Sequence, residues 1–113
     1  MKAIPSVFTR SLVALEIYTI LIAALRLRWK FTAEEKKASL TLLANGHPFL
    51  ELHPRKDSLR LSILLPEALE SPRIMNVEQV SRSVLRNDLD LDSTDQLDEE
   101  LMGWIDEAHA KAK

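Results

Sequence analysis

Apolar and polar residues alternate twice between positions 49 and 65, in FLELH and in SLRLSILL. In the second run Leu59, Leu61, Ile63 and Leu65 share one face, and Arg60 and Ser62 the other, which is the period of two of a half-buried strand. In the first, Leu50 and Leu52 point one way and Phe49, Glu51 and His53 the other. Pro54, Arg55, Lys56 and Asp57 separate the runs with a fixed φ and a turn-favouring Asp, so the pair predicts a β-hairpin. A third strand over 38–44 precedes it: Leu40 and Leu42 share a face, and Asn45-Gly46 is a hairpin-turn signal. Residues 84–92 alternate again, with Leu85, Leu89 and Leu91 inward and Arg86, Asp88 and Asp90 outward, which predicts a fourth strand. The intervening connection holds Pro66 and Pro72, with a short helical turn expected over 74–80. Thr32 and Glu35 have capping-box spacing, which leaves 32–37 open between helix and connection.

Two helices complete the pattern. Residues 7–29 lack Pro and Gly, follow a candidate N-cap at Ser6, and are apolar on more than one side, so a long helix with two buried sides is expected. Glu16 within this run and Arg26, Arg28 and Lys30 closing it argue against a signal or membrane anchor. At the other end, 94–112 reads as a helix whose start is marked by Ser93 and Gln96 and by Asp95, Asp98, Glu99 and Glu100 near the positive end of its dipole. Leu97, Leu101, Trp104, Ile105 and Ala108 form its apolar stripe, and Gly103 inside it suggests a close approach.

The expected fold is α+β, a four-stranded antiparallel meander with the N- and C-terminal helices on its Leu-rich face. It forms one domain, 1–113: helix and connection over 1–37, three strands over 38–65, a connection over 66–83, then the fourth strand and last helix over 84–112. With 46% hydrophobic and 28% charged residues, wholesale disorder is excluded. Cysteine is absent, which excludes disulfides and thiolate metal sites and fits a reducing, cytoplasmic setting. The net charge of −2 hides a division: residues 1–65 carry ten Lys/Arg against five Asp/Glu, and 66–113 five against twelve, as expected of two halves that face each other.

Candidate chemistry is sparse. Asp88, Asp90, Asp92, Thr94, Gln96 and Glu99 match the ligand spacing of a calcium loop, but Ser93 stands where that loop needs Gly, and a strand plus a helix cap explains the same residues. Glu51 and His53 share a strand face without a recognisable third ligand, so no metal site is assigned. With no Cys, no GxSxG and only two glycines, neither nucleophilic catalysis nor a phosphate-cradling loop is supported, and no cofactor or enzyme activity is expected. Two surfaces remain. Lys36, Lys37, Arg55, Lys56, Arg60 and Arg86, with Phe49 among them, lie on or beside the outward sheet face, a candidate contact for an anion or a nucleic acid. Leu12, Leu15, Ile17, Ile20, Leu21, Ile22 and Leu25 give the first helix more apolar surface than one sheet face covers, a candidate homodimer interface.

The order of strands, connection and final helix resembles a small prokaryotic family, domain of unknown function 5655. Phe49, Pro54, Arg55, Lys56, Leu59, Leu61, Pro72, Val80, Ser81, Asp95, Leu97, Glu100 and Ile105 occupy its pattern across about 38–112, and the first helix agrees by type. After the Val80-Ser81 step, where many members have a loop with Gly, His and Trp, this chain continues SRSVLRNDLDL without Gly. The resemblance implies an α+β domain found in predicted transport proteins and beside restriction-like nuclease domains. The expected function is a non-catalytic protein-interaction or structural module, whose partner is a second copy or another protein; the alternative is an accessory nucleic-acid-binding domain using the basic sheet face.

Overall fold

Asn45 and Gly46 have positive φ, 54° and 82°, the backbone that a two-residue hairpin turn of type I′ requires and that Gly adopts at no steric cost. They join β2 (Leu40–Ala44) to β3 (His47–Pro54), which pairs in turn with β4 (Leu59–Leu65). These three strands, and β6 (Val84–Leu91) beside β4, are the four that alternation predicts. In the computed structural model, which describes residues 5–112, the sheet has six strands rather than four. β1 (Thr32–Glu35) pairs with β2, and β5 (Asn76–Ser81) with β6, giving the antiparallel order β1-β2-β3-β4-β6-β5. Thr32 and Glu35 are therefore not a helix start, and 74–80 is not a helical turn. Both added strands lie at sheet edges with every residue exposed, so neither bears the apolar alternation that burial imposes.

Phe49 corrects a second expectation. Leu42 opposes Leu50 whereas Leu43 opposes Pro48, so Phe49 is the extra residue of a bulge in β3. A bulge interrupts strict alternation, and here both Phe49 and Leu50 are 0% exposed. Phe49 is core, not part of the outward face.

The first helix starts later than the N-cap reading at Ser6. Ser6–Phe8 forms a single 3-10 turn that tucks Phe8 into the core, its ring stacked on Tyr18 at 4.2 Å. α1 is Leu12–Arg28, capped by Ser11, whose Oγ accepts from the Ala14 N–H at 3.1 Å and donates to the Lys56 carbonyl at 3.1 Å. The last helix is also shorter. The Ser93/Gln96 box closes a 3-10 turn over Thr94–Gln96, and Asp98 caps α2 (Glu99–Lys111), accepting from the Leu101 N–H at 3.0 Å. A Cβ at Gly103 would meet nothing within 4 Å, so this glycine marks no close approach.

Both helices pack on β4, α2 also on β3, and their apolar sides join the leucines of one sheet face in a single core. Leu40, Leu52, Leu61 and Leu89 form one buried row across that face. Asn87 faces the same core, where it holds the connection that follows β4. No helix among the described residues is long and apolar enough to cross a membrane.

Candidate functional site

The opposite sheet face carries no helix, and its residues line up through the strand register: Glu34, Thr41, Glu51, Ser62, Asp88 and Asn76 form one polar row across all six strands. His53, Arg60 and Asp90 form the next. Arg60 grips Asp90 with two hydrogen bonds, Nε to Oδ1 at 2.8 Å and Nη2 to Oδ2 at 3.1 Å. That bond raises the Arg60 guanidinium above its ordinary range, so it stays charged. Arg86 reaches Glu78 on β5 at 2.9 Å, and its buried Nε lies 3.5 Å from Asp88 Oδ1 without a hydrogen-bond partner among the described residues. Asp88 is buried and accepts from Ser62 Oγ at 2.7 Å and from Asn76 Nδ2 at 3.3 Å. His53 Nε2 lies 3.3 Å from Glu51 Oε1. His53, Arg55, Arg60, Ser62, Arg86 and Asp88 border a hollow of about 140 Å³.

Of the seven residues expected to contact an anion, Arg55, Arg60 and Arg86 meet at this hollow, the latter two already matched by carboxylates. Lys36 and Lys37 lie in the β1–β2 turn, and Arg55 and Lys56 in the β3–β4 turn. The two turns leave the same end of the sheet, two strand spacings or about 10 Å apart. Four of the six cations therefore gather at an end of the sheet, Arg60 and Arg86 stay on its face, and Phe49 lies inside the core, away from both. Asp88 and Asp90 are committed to the strand network, which removes the calcium-loop reading of that segment.

The candidate dimer residues also divide. Ile17, Leu21, Ile22 and Leu25 are buried within the domain and cannot face a second copy, and Leu15 is half-buried. Leu12 and Ile20 are 83% and 52% exposed, and Leu27, beyond the expected interface of Leu12 to Leu25, is 90% exposed. Leu27 lies on the line that Leu12 and Ile20 begin, at helical spacing, and that periodicity is the signal by which it can be found.

A family profile described as Domain of unknown function (DUF5655) matches residues 6–112. The chain belongs to the DUF5655 family. The match reaches through α1, beyond the segment on which the sequence resemblance rests. No curated protein and no solved structure matches the chain. In this DUF5655 member many of the pattern residues do structural work: Leu59, Leu61 and Ile105 are buried, Pro54 ends β3, and Val80 and Ser81 close β5 before the turn into β6. Glu100 joins Asp98 in holding Arg73, whose Nη1 lies 3.1 Å from Glu100 Oε1 and 2.9 Å from Asp98 Oδ1.

Proposed function

We propose that this domain is a non-catalytic interaction module that pairs with a second copy through the outward side of α1. The observation that carries the reading is the exposed stripe of Leu12, Ile20 and Leu27 on a helix whose other side is already buried. Solvent-exposed leucines in line on one helix are apolar area with no partner in the domain. The stripe is also nearly symmetric about its own middle. Along it run Leu12, Glu16, Ile20, Ala23 and Leu27, so an antiparallel copy sets Leu12 against Leu27 of the partner subunit, Glu16 against Ala23, and Ile20 close to the two-fold axis. The small Ala23 leaves the Glu16 carboxylate room to stay in water. One helix seam is smaller than a standard stable interface of about 1,200–2,000 Å², so the pairing is expected to be weak and dependent on concentration. Association through apolar contacts should change little between low and moderate salt.

A second reading, an accessory nucleic-acid-binding domain, is favoured by one observation: Lys36, Lys37, Arg55 and Lys56 share one end of the sheet. Pairing of Arg60 and Arg86 with carboxylates and the loss of Phe49 to the core weaken it. Titration with fluorescent single- and double-stranded oligonucleotides separates the readings. The interaction module predicts no binding at low salt. Micromolar binding that falls steeply with salt, with a slope flattened by replacing the four turn cations, would exchange the two readings.

A further inference from the structure

We infer that the groove between α1 and β1 binds a small organic anion with a flat apolar body, of the aryl carboxylate class. Two helices do not cover six strands. α1 packs on β4 and α2 on β3 and β4, while Ala33 and Glu35, which stand on the helix side of β1, stay exposed and border a groove of about 920 Å³, within the range of small-molecule sites. Leu40 and Leu43 line it from β2, and its walls include three aromatic rings: Tyr18 from α1, and Trp29 and Phe31 from the segment between α1 and β1.

The walls are held in place. Trp29 stacks on His109 at 3.7 Å and donates its indole N–H to Asp106 Oδ1 at 3.2 Å, and Phe31 meets the Trp29 ring edge-on at 5.9 Å. The aromatic surface is therefore available without a large ordering cost. Tyr18 is held protonated beyond its ordinary range, chiefly by burial, so its hydroxyl is available as a donor at neutral pH.

The charge on the groove is cationic. Arg26 and Lys30 border it, both exposed, and neither makes an ion pair among the described residues, whereas Arg28, Arg60, Arg73 and Arg86 are all matched by carboxylates. Glu35, the acid that lines the groove, is occupied: its Oε2 accepts from the Ser6 backbone N–H at 3.0 Å and from the Ser6 hydroxyl. A flat apolar body against the rings, with a carboxylate turned toward Arg26 and Lys30, satisfies both features; a neutral hydrocarbon would leave the cations unused, and a small inorganic anion would leave the rings unused.

The test is a fluorescence titration of the full chain with 1-anilinonaphthalene-8-sulfonate, followed by competition with 2-naphthoate and its neutral analogue 2-naphthalenemethanol. The expected result is one saturable site, displaced by 2-naphthoate at least about tenfold more effectively than by the alcohol, the difference one charge-assisted contact supplies. Arg26→Ala/Lys30→Ala should weaken binding by about tenfold or more with the thermal midpoint unchanged, because both side chains are exposed. Ala33→Trp, which fills the groove from β1, should abolish it, and Ile20→Lys on the outward side of α1 should leave it intact. Absence of a saturable site, equal displacement by acid and alcohol, or loss of binding in Ile20→Lys but not in the double variant would overturn the assignment.

Discussion

The indole of Trp29 lies flat against the imidazole of His109, with ring centroids 3.7 Å apart and 16° between the planes, and this contact fastens the end of α1 to the end of α2. The lock has further parts. The Lys30 carbonyl can only accept, so His109 Nε2 carries the hydrogen in their 3.1 Å contact, and Asp106 takes both the Trp29 indole N–H and the Arg28 guanidinium. His109→Ala is expected to cost about 1–3 kcal/mol, the sum of one aromatic contact and one hydrogen bond. His109→Phe, which keeps the stack, should cost less. Urea midpoints for the two variants check the order; equal losses would mean that the stack contributes nothing.

Asn87 is 0% exposed and makes three hydrogen bonds to backbone groups. Its Nδ2 donates to the carbonyls of Ile63 and Glu67, and its Oδ1 accepts from the Leu69 N–H at 2.8 Å. Asn87→Leu fills similar space but strands those groups, so a loss of about 2–4 kcal/mol is expected. The Leu69 amide should also exchange with solvent much faster. An unchanged Leu69 exchange rate in the variant would show that this side chain does not hold the connection.

These residues also mark the limits of reading the chain alone. The Asn45-Gly46 turn and the alternation of β4 are local, and both are visible in the sequence because burial on one face selects every second residue. β1 and β5 are not visible in that way, since edge strands with all residues exposed owe their form to pairing rather than to pattern. Strict alternation puts Phe49 on the wrong face because a bulge shifts it by one, and Asn87 carries no signal in the sequence because its partners lie on a connection without regular structure. At the candidate site, the convergence of Arg55, Arg60 and Arg86 follows from strand register. Neutralisation of Arg86 by Glu78 does not, because Glu78 sits on the unforeseen β5.

Gly103 lies in the interior of α2, is exposed, and has open space where a Cβ would stand. Gly103→Ala should therefore stabilise the domain by about 0.5–1 kcal/mol, through the restricted unfolded chain and better helix propensity. A thermal midpoint raised by a few degrees is the expected reading. A lowered midpoint would mean that this face of α2 is covered in solution.

Asp98 caps α2 through the Leu101 N–H and also binds Arg73, and these two contacts, in that order, hold its carboxyl below the ordinary value of 3.8. A depressed folded-state pKa means that the stabilisation is present above the unfolded value and is lost as pH falls through 3.8 toward the lower folded value. Asp98→Asn should thus flatten the acid side of the stability profile and lie closest to the parent chain below that window. Parallel acid limbs for the two proteins, followed by thermal melts from neutral pH downward, would exclude this linkage.

Pairing through α1 is tested most directly by sedimentation equilibrium from low to high micromolar concentration, on the parent chain and on Ile20→Lys. Ile20 is half-exposed and would sit close to the two-fold axis, so the substitution sets like charges against each other across the seam while leaving the core alone. The expected result is a reversible monomer–dimer equilibrium for the parent, nearly indifferent to salt, and a monomer for Ile20→Lys at every concentration with an unchanged thermal midpoint. A parent chain that stays monomeric at high micromolar concentration, or an Ile20→Lys variant that dimerises as the parent does, would contradict it.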